Sequence, residues 1–183
     1  MNIKLYLDFD GVILNTIDIT YTMFKEKNIT NPEEIVDFYR NLDWNEIIKV
    51  SEPINDSINR IKDIINSDLY DVSILSHVVT IEEANGKREF LNKNLPGINL
   101  IAVDRDKNKC DVVDCKNAIL VDDYMGNLEL WHKKGGIPIK FSDKGKEYDF
   151  MSISDLGMLI TKYDEIKELI INNSKLNVVN LKK

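Results

Sequence analysis

Two aspartates stand two apart in the run Asp8-Phe9-Asp10-Gly11-Val12, directly after the apolar stretch Ile3–Leu7. A short apolar run of this kind reads as a buried strand. Its C-terminal end therefore carries two carboxylates, and buried carboxylates are costly unless they are paired or bound to a cation. Hard oxygen donors suit Mg²⁺, which takes one or two carboxylates together with substrate phosphate oxygens. An aspartate in such a place can also attack phosphorus as a covalent nucleophile. The pattern occurs twice: Ala118-Ile119-Leu120-Val121 runs into Asp122-Asp123. One acidic pair alone could cap a helix. Two pairs at the ends of neighbouring parallel strands would converge, and their repulsion calls for a cation.

Other residues are candidates for the same site. Ser76 ends the apolar run Val72–Leu75, where a hydroxyl and a backbone N–H can hold a phosphate oxygen; a strand-end serine is also an ordinary helix cap. A lysine from Asp106-Lys107-Asn108-Lys109 could neutralise a transferring phosphoryl group. Lys107 and Lys109 both lie in this segment, and the choice between them is open at this point. Gly11 lets the backbone approach a phosphate closely. His77 follows Ser76 and could reach the site, although a strand-end histidine more often serves as a structural hydrogen bonder.

Positioning these groups requires parallel strands. Apolar runs recur at Ile3–Phe9, Val72–Leu75, Leu100–Val103, Ala118–Val121 and Ile137–Phe141. Helical stretches are expected at Glu82–Asn94 and Gly126–Lys134, each followed by a glycine-containing stop. One or two more are expected from Asp155 to about Lys175. Strands alternating with helices give an α/β fold with a parallel sheet of about five strands. Between the first two strands the pattern changes to helices at about Thr16–Lys27, Pro32–Arg40 and Ile54–Asn66. That stretch is too long for a simple crossover. It reads as a small helical cap over residues 15–70, inserted into a core of residues 1–14 and 71–183, and its entry point adjoins the acidic pair.

The 183 residues carry a net charge of −7, which argues against a dedicated nucleic-acid binder. No apolar stretch is long enough for a transmembrane helix, and the N-terminus lacks a signal-peptide pattern. A cytoplasmic protein is expected, with Cys110 and Cys115 as free thiols.

Taken in order, Asp8-Phe9-Asp10-Gly11-Val12, Ser76, a lysine near 109 and Asp122-Asp123 resemble the four motifs of the haloacid dehalogenase-like hydrolase superfamily. The resemblance covers the whole chain in layout and implies a Rossmann-like sheet with a cap inserted after the first motif. It implies Asp8 as nucleophile and Mg²⁺ ligand. Asp10 would be the general acid/base, its backbone carbonyl touching the metal. Ser76 would bind phosphoryl oxygens, and Asp122 and Asp123 would complete the metal site. Lys109 would neutralise charge, just ahead of Cys110-Asp111-Val112-Val113, which would begin the helix before the fourth strand; Lys107, Lys116 and the more distant Lys87 are the alternatives. The implied function is a Mg²⁺-dependent phosphomonoesterase that forms an aspartyl-phosphate on a small phosphorylated metabolite. Ile119-Leu120-Val121-Asp122-Asp123 followed by Trp131 looks similar to the 5′(3′)-deoxyribonucleotidase branch, where cap aromatics stack a base. Phe24, Phe38, Tyr39 and Trp44 are the candidates here, and Trp44 is preferred because it lies outside the clear helical patterns. Alternatives left open are a phosphotransferase or sugar-phosphate mutase, a polynucleotide 3′-phosphatase and a non-catalytic phosphate-binding module. The oligomeric state is also open.

Overall fold

Residue parity along the strands decides the layering. In β1 (Ile3–Leu7), Leu5 and Leu7 enter one apolar cluster while Tyr6 enters another. In β4 (Ile119–Asp122), Ile119 and Val121 join the first cluster and Leu120 the second. A strand that is apolar on both faces must be covered on both sides, as in parallel α/β sheets. The computed structural model describes residues 2–142 and 148–180, and it shows that arrangement.

The sheet has six parallel strands in the order β3-β2-β1-β4-β5-β6. Besides β1 and β4 it contains β2 (Tyr70–Val78), β3 (Asn99–Asp104), β5 (Ile137–Phe141) and β6 (Ser152–Ile153). The sixth strand was not expected from sequence; two residues carry no readable periodicity. β2 is also longer than the apolar run suggested. Ser76 therefore lies inside the strand, fully buried and paired with Ala102, rather than just past its end.

Four helices fill the segment between β1 and β2: α1 (Thr16–Glu26), α2 (Pro32–Arg40), α3 (Trp44–Val50) and α4 (Ser57–Asn66). α3 is a correction. Trp44 does not lie outside the helices but opens one, because the Asp43 side chain accepts the Glu46 amide at 3.1 Å and caps it. α4 buries Ile61 and Ile64 in the same cluster as Leu5, Leu7 and Ile74, so it packs as part of the sheet's own cover. Beyond β2 come α5 (Ile81–Asn94), α6 (Met125–Lys133), α7 (Met158–Thr161) and α8 (Tyr163–Asn180). On the second face Trp131 of α6 is fully buried. It donates its indole N–H to the Ala118 carbonyl at 2.9 Å and meets the Tyr6 ring edge-on at 5.5 Å. Cys110 and Cys115 are free thiols. No described helix is long and apolar enough to cross a membrane.

Candidate functional site

The strand order puts β1 between β2 and β4, with Leu7 opposite both Ile74 and Val121. The next residue on each side is thus brought to one place, the carboxyl end of the sheet, where open α/β proteins bind ligands. The Asp8 amide donates to the Val121 carbonyl at 2.9 Å, which locks its Cα beside Asp122. One carboxylate oxygen from each of Asp8, Asp122 and Asp123 lies within 4.8 Å of the others.

Asp122 is fully buried and held at both oxygens. Oδ1 accepts the Tyr124 amide at 2.8 Å, and Oδ2 accepts from Asn127 at 2.9 Å and from Lys109 at 2.6 Å. Lys109 also pairs with Asp8 Oδ1 at 3.0 Å, and the Phe9 amide donates to that same oxygen at 2.8 Å. A helix was expected to begin just after this lysine, at Cys110–Val113, ahead of β4. Instead the lysine sits on one 3₁₀ turn, Lys109–Asp111, closed by a reciprocal cap between Asn108 and Asp111. The other two candidates nearby make no recorded contact with these carboxylates. Lys107 offers its backbone carbonyl to the His77 ring, and Lys116 lines a groove at the opposite end of the sheet with Lys4 and Asp71.

Asp10 belongs to a different network. Its Oδ1 accepts the Thr16 hydroxyl at 2.7 Å and its Oδ2 accepts the Lys87 ammonium at 2.5 Å, with the Ser76 hydroxyl 3.4 Å away. Its carboxylate is not among the three gathered above. The two aspartates of the first motif are thereby separated in role: one faces its acidic partners, the other faces α5. Gly11 has a φ of +71°, and a Cβ there would come 2.7 Å from Asp123 Oδ2. Its amide is taken by the Leu14 carbonyl at 2.9 Å. The glycine is thus required by a left-handed turn and by the closeness of Asp123, whereas the sequence reading assigned it to phosphate approach.

Of the two substrate candidates, His77 takes the structural hydrogen bond that strand-end histidines commonly make, and Trp44 is placed differently from expectation. The His77 ring is engaged by the Lys107 carbonyl at 2.9 Å, a bridge from β2 to the loop after β3. Trp44 is buried, donates its indole N–H to the Tyr39 carbonyl at 3.1 Å and stacks on the Tyr39 ring. Phe24, Phe38 and Tyr39 continue this chain of ring contacts. Large rings gain most by burial, and these pack on one another, while Phe38 also lines a surface cavity with Lys27, Ile29 and Leu42.

The residues sequence reasoning passed over are Glu83 and Lys140, and it ranked Lys87 last. Glu83 and Lys87 are spaced i, i+4 on α5 behind the Thr80 cap, which was the legible signal. Lys140, buried on β5, donates to the Asp123 and Phe141 carbonyls.

Charge decides what the site can accept. Asp8, Asp10, Glu83, Asp122 and Asp123 set five carboxylates against three ammonium groups, Lys87, Lys109 and Lys140. The excess of two negative charges, with three oxygens gathered at one point, suits a divalent cation and fits Mg²⁺. Burial raises the Asp8 carboxyl above its ordinary pKa; Lys109 opposes this and Asp122 adds to it. Burial alone would lower the two lysines. The carboxylates of Asp8 and Asp122 hold Lys109 above its usual value, and those of Asp10 and Glu83 do the same for Lys87.

Asp123 is pushed up to about 7, first by burial and then by Asp8 and Asp122, against Lys140. A carboxyl raised on folding favours the protonated folded state, so its contribution is full below 3.8 and is lost as pH rises through about 7. The metal-free protein should therefore lose stability from pH 5.5 to pH 8, and Mg²⁺ should restore it. Thermal unfolding in EDTA and in Mg²⁺ at both pH values checks this. The increment from Mg²⁺ is expected to be several degrees larger at pH 8, and an equal increment at both would place the ion away from Asp123.

Comparison with known proteins comes down to the fold. No protein-family model and no curated protein matches the sequence. Solved structures do match. A hydrolase from Pseudomonas syringae aligns with a TM-score of 0.64 at 11% identity, over 90% of this chain and 99% of its own. A haloacid dehalogenase-like family hydrolase from Streptococcus pneumoniae gives 0.65 at 14% identity, over 88% and 98%. A D,D-heptose 1,7-bisphosphate phosphatase from Burkholderia thailandensis gives 0.54 at 15% identity, over 88% and 98%. The chain has the fold of the haloacid dehalogenase-like hydrolases.

Proposed function

Proceeding from that shared fold, we propose that the chain is a Mg²⁺-dependent phosphomonoesterase acting through an aspartyl-phosphate on Asp8. The observation that carries this reading is the division of carboxylates: Asp8, Asp122 and Asp123 gather beside Lys109, while Asp10 is held apart by Thr16 and Lys87.

Asp8, Asp122 and Asp123 would hold the ion, with the Asp10 carbonyl as a further oxygen ligand. When bound, Mg²⁺ supplies positive charge that screens the phosphoryl oxygens and lets an anionic carboxylate approach. Lys109 and the Phe9 amide occupy Asp8 Oδ1, which leaves Oδ2 to attack phosphorus. As that P–O bond forms, the ester P–O bond breaks, and the leaving oxygen takes a proton from Asp10, which is a carboxylate beside Lys87 in the free protein and takes up that proton on substrate binding. Asp10, now a carboxylate, removes a proton from water. The resulting hydroxide attacks the same phosphorus, inorganic phosphate leaves, and Asp8 is regenerated. Lys109 neutralises charge between nucleophile and phosphate, and the Ser76 hydroxyl donates to a phosphoryl oxygen.

The substrate is a small phosphorylated metabolite. Helices α1–α3 are proposed as a lid, supported by the Arg105 guanidinium beyond β3 lying 5.5 Å from the Tyr39 ring of α2. A (deoxy)nucleoside monophosphate remains within this class, although the rings proposed to stack its base also pack against one another. The test is phosphate release from a panel of nucleoside monophosphates, sugar phosphates and a 3′-phosphorylated oligonucleotide. Release should require Mg²⁺ and stop in EDTA. Turnover unaffected by EDTA would reject the site assignment. Transfer of phosphate to a second metabolite without release would identify a phosphotransferase.

A further inference from the structure

Lys87 is fully buried, yet its ammonium meets four acceptors. They are Asp10 Oδ2 at 2.5 Å, Glu83 Oε1 at 2.7 Å, the His77 carbonyl at 3.0 Å and Ser76 Oγ at 3.1 Å. The rings of Phe9 and Trp44 flank it at 5.4 and 5.6 Å. Segments from β2, α3, α5 and the turn after β1 thus meet at one nitrogen. A buried ion pair is a poor source of stability, because desolvation offsets the attraction. What it does supply is geometry.

We infer that Lys87 is a positioning residue for the reaction, acting through Asp10 and Ser76, and that Glu83 orients it; this rests on the phosphatase reading above. Thr16 holds one Asp10 oxygen and Lys87 the other, so the carboxylate has no free rotation. By donating to Ser76 Oγ, Lys87 occupies a lone pair and leaves the serine proton to be given away. The acceptors near that proton, the His77 carbonyl and Asp10, are both distant at 3.3 and 3.4 Å. The hydroxyl can therefore turn to a phosphoryl oxygen. Glu83 is itself fixed: Oε2 accepts the Val79 amide at 2.7 Å, and the residue sits in the first turn of α5 behind the Thr80 cap.

A double-mutant cycle tests this, because residues that act as one unit give non-additive losses. Lys87→Met is expected to lower kcat about 100-fold, the scale of a lost acid/base contribution, with KM changed less than about fivefold. Combined with Asp10→Asn it should add less than about threefold beyond Asp10→Asn alone. Glu83→Gln keeps the shape and the Val79 contact, and serves if Lys87→Met fails to fold. It should lower kcat about tenfold, again with no further loss beside Asp10→Asn. Additive losses, or a lower Tm with kcat unchanged, would make the pair a structural cross-link and overturn this inference alone. A wild-type protein that releases no phosphate from the panel would overturn the phosphatase reading and this inference with it.

Discussion

Asp8→Asn is expected to reduce phosphate release by roughly 10⁴–10⁶-fold, the range seen when a covalent nucleophile is removed. The fold should survive the change. Asp8 is buried beside Asp122, and burial already disfavours its charged form. A neutral amide of the same shape removes that cost, and Lys109 keeps Asp122 as a partner at 2.6 Å. The melting temperature in EDTA should therefore be equal to or above that of the wild type. Acid-quenched protein should carry phosphate on the wild type and none on the variant. Retained turnover in Asp8→Asn would reject covalent catalysis. Lost turnover with a collapsed melting temperature would mean that the carboxylate is structural.

Lys109→Met should have the opposite signature, losing both activity and stability. It leaves Asp8 and Asp122 buried without their shared cation. Removing one partner of a buried ion pair costs about 3–5 kcal/mol, which for a chain of this size lowers Tm by roughly 6–20 °C. Turnover should fall about 10²–10³-fold through loss of electrostatic stabilisation. Mg²⁺ should recover part of the Tm, since a divalent ion at the same oxygens replaces the missing charge. It should not recover the rate. A Tm unchanged in EDTA would show that the two carboxylates do not depend on Lys109.

The sheet was readable because each strand buried on both faces must be almost wholly apolar, and each acidic pair interrupts such a run abruptly. Ile3–Leu7 and Ile119–Asp122 stand out for that reason, and their parallel pairing follows from the helices between them. β6 did not stand out, because two residues cannot show a period. α3 was missed because its seven residues are started by the Asp43 side chain rather than announced by a long apolar stripe. Trp44 was misjudged in consequence: a ring judged free by its position in the chain proved to be packed against Tyr39.

The same division runs through the site. By itself, the sequence determined which carboxylates end the strands and that positive charge must answer them, since unpaired charge at a buried strand end is too costly to leave. Lys109 was singled out for that part through the resemblance to a known family, carried over by position. Only the tertiary structure decided that Asp10 turns away from the other carboxylates, because the groups that turn it, Thr16 and Lys87, lie 6 and 77 residues along the chain. Only the tertiary structure decided that Lys87 is buried between Asp10 and Glu83, because burial of a charge is set by what the neighbouring elements bring to it. Strand ends can be read from local composition; the partner of a charge cannot, since it depends on which distant segments the fold places within 3 Å.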